Sequence, residues 1–278
     1  MCSSDLYWKS AVDELLWIWQ KKSNRICDLG SHVWDEWAGE DGTIGKAYGY
    51  QLGVKHQFAN GQEPMDQVDR VLYDLKHNPA SRRILTNIYN FQDLHEMNLY
   101  PCAYSMTFNV TGDTLNGILN QRSQDMLTAN NWNVVQYSVL MHMMAQVSGL
   151  KVGELVHVIA DCHIYDRHIP AVKAMLEREG FPAPTFKMDK SITDFYAFTK
   201  DSFKMENYQF HPFDFEIPMA IYVIVSPSLP LRGGGSPQGD SEGWFVPTYG
   251  FHPSVSFADS SPQRGALSAI LCEVFLWT

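Results

Sequence analysis

The chain has 278 residues, 45% of them hydrophobic and 19% charged, which is enough for one sizeable core and too apolar for a disordered protein. Its 21 basic and 31 acidic side chains leave a net charge of -10, which argues against a nucleic-acid partner but allows a small anionic substrate held by a local arginine cluster. Its five cysteines include no CxxC pair, so neither a zinc site nor a disulfide framework is expected, and reduced thiols fit a cytoplasmic protein. No stretch reaches the length of a membrane span, and the first residues lack the pattern of a signal peptide.

The opening hexapeptide Met1 to Leu6 joins a helical pattern abruptly and is expected to be non-native. Val12, Leu15, Leu16 and Trp19 then fall on one helix face. A loop-rich stretch from Asn24 to Pro64 follows, and Val68, Val71, Leu72 and Leu75 mark a second helix ended by Asn78-Pro79. Ile84 to Tyr89 reads as a strand. Tyr104, Met106, Phe108 and Val110 alternate along another, which turns at Thr111-Gly112-Asp113 and returns through Thr114 to Gln121. Trp132 to Val147 is apolar nearly all round, as a buried helix is. Leu155 to Ala160 is a further strand, and Ile169, Val172 and Leu176 lie on a helix stopped by Gly180 and Pro182. Strands and helices mix without regular alternation, which predicts an α+β fold. Past Ser226, proline and glycine punctuate a stretch of little periodicity. Two units are therefore expected: a domain over 1–225 and a Pro/Gly/Ser-rich tail over 226–278. The tail reads equally as a disordered extension or as the product of a frameshift.

Cys102 follows Pro101 where a strand begins. A lone cysteine is commonly a small buried hydrophobe, whereas a thiolate nucleophile needs positive charge nearby. Hairpin pairing through the Thr111 turn is the route by which Arg122 could supply it. Arg82 and Arg83 read either as a solvated pair or as an anion clamp. Adjacent strand residues face opposite ways, so one phosphate could not take both without irregular backbone. Arg122 is the better clamp, flanked by Gln121, Ser123 and Asp125. In Asp161-Cys162-His163-Ile164-Tyr165, His163 and Tyr165 share one side of an extended segment and suit sugar hydroxyls or a structural role. A metal set of Asp161, His163 and His168 fits no standard spacing. Asn133 reads as a helix N-cap or as a buried amide that reads a pyrimidine edge. Trp34, Trp37 and Trp132 are either core residues or stacking surfaces.

The ordered segments Glu14-Leu15-Leu16-Trp17, Trp34-Asp35-Glu36-Trp37, Tyr48-Gly49-Tyr50-Gln51, Ser81-Arg82-Arg83, Pro101-Cys102, Gln121 to Asp125, Trp132-Asn133, His142 to Gln146 and Asp161 to Tyr165 together resemble thymidylate synthase, over about Leu6 to Ile221. The resemblance implies a mixed sheet packed with helices and a homodimer joined sheet to sheet. It implies reductive methylation of dUMP to dTMP with 5,10-methylenetetrahydrofolate as co-substrate and no metal. Cys102 would add to C6 of the pyrimidine. Asn133 would hold the O4/N3 edge, Glu14 would serve proton transfers through water, and Tyr48 would help remove the C5 proton. Arg122, with Gln121 and Ser123, would bind phosphate, and Asp125 would contact both ligands. His163 and Tyr165 would hold the ribose 3′ hydroxyl. Trp34, Trp37, Asp125, Trp132 and Ala220 would line the folate pocket. Arg82 and Arg83 would reach the phosphate of the neighbouring subunit.

Several positions depart from the family's pattern. Its N-terminal phosphate loop has no match here, Ala103 stands where many members have His, and Ile159-Ala160 stands where many have Gly-Gly. Pro218 to Ile221 resembles the family's usual end, yet the chain runs on, and a tail there should hinder closure of the site. The expectation is weak or no activity for this polypeptide. The alternatives are a pyrimidine nucleotide hydroxymethylase of the same fold or a catalytically defective fragment.

Overall fold

The structure, a computed structural model, describes residues 6–215; Ala220 and the 226–278 tail lie outside the described residues. Helix α1 (Trp8–Trp19) buries Ala11, Val12, Leu15, Leu16, Trp17, Ile18 and Trp19, together with the carboxyl of Glu14. It packs against α4 (Asn130–Ser148), whose middle is equally apolar and whose left-handed C-cap is Gly149. Between them come α2 (Gly49–Gly53) and α3 (Gln67–His77). The Asp66 side chain caps α3 by accepting from the Asp69 N–H at 2.9 Å, and the helix stops before Pro79.

The central sheet runs β1 (Leu85–Asn87), β2 (Ala103–Thr111), β3 (Thr114–Gln121), β5 (Lys151–Ile159). β1, β2 and β3 are antiparallel neighbours, and Gly112 at φ 64° makes the β2–β3 turn. β3 and β5 are parallel, because the chain crosses back through α4. One sheet face (Met106, Phe108, Leu115, Leu119) is buried with the helices. On the other face Leu85, Thr107, Ile118 and Val156 lie in one cross-strand row, and Leu85 and Val156 are exposed. Short parallel strands β4 (Gln124–Asp125) and β6 (Cys162–His163) continue past the sheet. Helix α5 (Ile169–Leu176) and the antiparallel pair β7 (Thr185–Met188) and β8 (Phe203–Glu206) complete the described fold. The fold class is α+β, with a mixed sheet.

Three local expectations need correction. The strand expected over Ile84 to Tyr89 pairs only from Leu85 to Asn87, although Ile84 and Ile88 still bond to β2 through Phe108 N–H and Tyr104 C=O. β7 and β8 went unread because each is four residues long, too short for alternation to show. Asn133 is not an N-cap: α4 begins at Asn130, so Asn133 lies inside its first turn.

Tyr48, just before α2, takes φ 44° and ψ -104°, an unfavourable backbone for a bulky residue. Gly49 holds it there by backing directly onto the Ser23 backbone. A Cβ at 49 would lie 2.4 Å from the Ser23 carbonyl oxygen and 2.8 Å from its nitrogen. Gly49→Ala is therefore expected to cost about 2–3 kcal/mol, because backbone rather than a flexible side chain must move. Thermal melting should show the loss as a drop of several degrees; an unchanged midpoint would rule out this packing.

Candidate functional site

The hairpin register assembles the centre. Ala103 lies opposite Gln121, so the next pair outward is Cys102 and Arg122, and the Arg122 N–H donates to the Cys102 carbonyl at 2.9 Å. The Arg122 side chain folds back over the same loop. Its Nε donates to the Pro101 carbonyl at 3.0 Å and its Nη2 to the Tyr100 carbonyl at 2.9 Å, which leaves Nη2 3.6 Å from Cys102 Sγ. From the other side the Cys102 N–H donates to the Tyr48 hydroxyl at 3.3 Å. Burial pushes the Cys102 thiol above its ordinary value, while the Arg122 charge and the Tyr48 hydroxyl pull it back down. Burial also carries Tyr48 well above the ordinary phenol value, so it keeps its proton.

Glu14 is the one carboxylate of α1 turned into the core, 7% exposed. Two indoles hold it: Trp34 Nε1 donates to Oε1 at 2.9 Å and Trp132 Nε1 to Oε2 at 2.5 Å. Burial raises its pKa, opposed by the hydrogen bonds from Trp34, Trp132 and Gln136. A carboxyl so held keeps its proton more readily than an exposed one, which suits it to proton transfer. Trp34 is itself buried, edge-on to Tyr48 at 5.0 Å and to the half-buried Trp37 at 5.4 Å. The Trp34 indole therefore links the carboxyl to the tyrosine beside the thiol.

Asn133 is half-buried at the start of α4. Its Oδ1 accepts from Gln121 Nε2 at 3.2 Å and its Nδ2 donates to Gln136 Oε1 at 3.1 Å. Beyond β3, the Asp125 carboxylate accepts from the Leu127 N–H at 3.0 Å and the Thr128 hydroxyl at 2.6 Å. It faces buried His168 at 3.6 Å. Strand pairing sets His163 beside Asp125, and the His163 ring stacks edge-on against Tyr165 at 5.0 Å. Asp161, His163 and His168 do not converge, since His163 faces Asp161 while His168 faces Asp125. Among the described residues no group of three His, Cys, Asp or Glu side chains could hold a metal ion.

Cys102, Arg122, Tyr48, Gln121 and Asn133 are thus brought together around the β2–β3 end, with Glu14, Trp34 and Trp132 joined through their own contacts. The Ser123 carbonyl accepts from Gln121 Nε2 at 3.0 Å, which ties that residue in as well. Arg82 and Arg83 are not part of this group. Both are exposed and precede Leu85, which lies opposite Thr107. Thr107 lies five positions along the extended chain from Cys102, roughly 17 Å at about 3.4 Å per residue. Gln124, Gln136 and His157, whose side chains hydrogen-bond inside the site, escaped the sequence reading. Gln136 carried a readable signal, a polar residue within an otherwise apolar helix.

A family model described as thymidylate synthase matches residues 1–221. The thymidylate synthase of Bacillus subtilis subsp. natto is 50% identical over 205 residues, 73% of this chain and 73% of the relative. That of Bacillus atrophaeus is 48% identical over 212 residues, 75% of this chain and 93% of the relative. Among solved structures, the thermostable thymidylate synthase A from Bacillus subtilis superposes with a TM-score of 0.74 at 45% identity, covering 80% of this chain and 79% of that one. With the site geometry and these matches in agreement, the chain belongs to the thymidylate synthase family.

Proposed function

We propose that this chain carries the reductive methylation of dUMP to dTMP, with 5,10-methylenetetrahydrofolate as the one-carbon donor and reductant. The observation that carries the reading is the Arg122 guanidinium held 3.6 Å from Cys102 Sγ by two backbone carbonyls. A guanidinium so anchored favours the thiolate when the thiol gives up its proton, and it keeps further N–H donors for a phosphate. Addition of Cys102 to C6 makes C5 a nucleophile toward the one-carbon unit. Asn133 meets the N3/O4 edge. Glu14, with its raised pKa, passes protons to O4 and the folate through water. Tyr48 stays protonated and assists C5 proton loss by orienting the accepting water rather than as a phenolate. Gln121, Ser123 and Asp125 support the nucleotide, and His163 with Tyr165 takes the ribose 3′ hydroxyl.

For the folate, Trp132 and Trp37 are half-buried and offer flat apolar surface. Buried Trp34, whose N–H is committed to Glu14, backs that wall rather than forming its face. Ala220, which lies outside the described residues, is assigned to the same pocket. The protein is read as a cytoplasmic homodimer joined through the exposed sheet face. No described helix is long and apolar enough to cross a membrane. The distance of Arg82 and Arg83 from Cys102 within one chain supports their service to the partner's phosphate. The domain is taken to span 1–225, with the 226–278 tail apart from the chemistry.

The test is tritium release from 5-tritiated dUMP with methylenetetrahydrofolate, with dihydrofolate formation followed in parallel. Both are expected. Release without dihydrofolate would replace the proposal with hydroxymethyl transfer, and absence of both would assign the chain to a catalytically defective form.

A further inference from the structure

Four polar side chains run in line through the site: His157 on β5, Gln121 at the end of β3, then Asn133 and Gln136 on α4. Leu119 pairs with His157, so the imidazole projects to the sheet face that also carries Leu119 and Gln121. Its Nε2 lies 2.7 Å from Gln121 Oε1. That oxygen accepts only, so Nε2 carries the hydrogen. Burial lowers the His157 pKa to about 4, so the ring is neutral at pH 7 and has a single N–H to give. With its oxygen taken, Gln121 turns its NH2 toward the Ser123 carbonyl at 3.0 Å, Gln124 Oε1 and Asn133 Oδ1 at 3.2 Å. At the far end Gln136 donates from Nε2 to the Ala11 carbonyl at 3.2 Å. That bond presents the Gln136 Oε1 to Asn133 Nδ2 at 3.1 Å. Two backbone carbonyls, which cannot reverse, thus anchor an ordered row of donors and acceptors.

We propose that His157 and Gln136 are positioning residues that hold the Asn133 carboxamide in one orientation, and that this row, acting through Asn133, sets the preference for a uracil over a cytosine nucleotide. The inference rests on the assignment of Asn133 to the pyrimidine edge. Each end of the Asn133 amide has spent half its capacity on the row. One lone pair on Oδ1 and one hydrogen on Nδ2 remain. Uracil offers an N3–H donor beside an O4 acceptor, which matches that remaining pair. Cytosine offers an N3 acceptor beside an N4 donor, which matches only an inverted amide. Inversion would set Asn133 Nδ2 against the Gln121 NH2 and Asn133 Oδ1 against Gln136 Oε1, two contacts of like polarity. Selectivity then comes from what cytosine would force on the row as well as from the Asn133 side chain itself.

The experiment compares equilibrium binding of dUMP and dCMP to the full chain and to four variants: Asn133→Ala, Gln136→Met, His157→Phe and His157→Trp. Methionine matches glutamine in length without polar atoms, and the Ala11 carbonyl it releases retains its place within α1. Phenylalanine removes the ring N–H, whereas tryptophan keeps one ring N–H and no acceptor. Gln136→Met and His157→Phe should each lower the dUMP-over-dCMP binding ratio about tenfold, and His157→Trp should keep it. A merely structural role would lower both affinities together and leave the ratio alone. If the unaltered chain shows no preference, or Asn133→Ala retains it, the pyrimidine-edge assignment falls and the inference with it. If Asn133→Ala loses the preference while His157→Phe and Gln136→Met keep it, the assignment stands and the inference is overturned. Because His157 lies on a half-exposed edge strand, the Phe and Trp pair decides the matter even if Gln136→Met fails to fold.

Discussion

Cys102→Ala is expected to abolish both tritium release and dihydrofolate formation, on the order of 10⁴-fold or more, because the bond to C6 is lost with the sulfur. The sulfur that Arg122 Nη2 approaches, at 3.6 Å, is that of Cys102. The substitution should leave the fold intact. Cys102 is half-buried, its carbonyl still accepts from Arg122, and its N–H still donates to Tyr48, since both are backbone groups. Nucleotide binding should therefore persist while turnover vanishes. Turnover within tenfold of the unaltered chain would remove Cys102 from the mechanism. Loss of turnover together with loss of the folded state by circular dichroism would instead show that the substitution acts on stability.

Glu14→Gln is expected to lower turnover by about 10²–10³-fold, the range for losing a positioned acid or base, with a smaller effect on dUMP affinity. It also makes a distinct claim about stability and pH. Burial raises the folded-state pKa of Glu14 above its ordinary value of 4.5, so folding favours the protonated carboxyl. Stability from this group is full below the unfolded value and is lost as pH rises through the higher folded value. Glutamine does not titrate. The difference in unfolding free energy between the Gln variant and the unaltered chain should move in favour of Gln as pH rises from 4.5, by at most about 1.4 kcal/mol per pH unit within the window. An offset independent of pH is expected beneath this trend. Glutamine has one acceptor oxygen for two indole N–H groups, and leaving one unpaired costs about 1–3 kcal/mol. Urea denaturation of both proteins at several pH values measures slope and offset separately. A slope of zero would mean that Glu14 ionises in the folded protein as it does in the unfolded one.

Together the two substitutions separate the covalent step from proton movement. Trp34 and Tyr48 stand between these centres, edge-on at 5.0 Å. The strained φ of Tyr48 and the close seat of Gly49 on Ser23 hold that junction in place. Backbone geometry remote from the sulfur thus decides where the tyrosine hydroxyl meets the Cys102 N–H.

Much of the architecture was legible in the residues. The apolar spacing of Val12, Leu15, Leu16 and Trp19 marked α1, and the spacing of Val68 to Leu75 marked α3. Alternation on either side of Thr111-Gly112-Asp113 marked the hairpin that sets Cys102 beside Arg122. Such signals are local, because side-chain period and turn chemistry act over a few residues. The ordered motifs also identified the family, since together they record a whole site that no single one of them specifies. What only the tertiary structure decided is the set of contacts between segments distant in sequence. Trp132 reaches Glu14 across 118 positions, and His157 reaches Gln121 across 36. Burial, on which the shifted pKa values of Glu14, Cys102, Tyr48 and His157 depend, likewise exists only once helices and sheet have packed. Periodicity could place Gln136 on a buried helix, but only the packed neighbours reveal that its amide is the end stop for Asn133. Hydrogen bonding is directional and short-ranged, so a row of amides acquires its sense from three-dimensional neighbours that residue spacing does not encode.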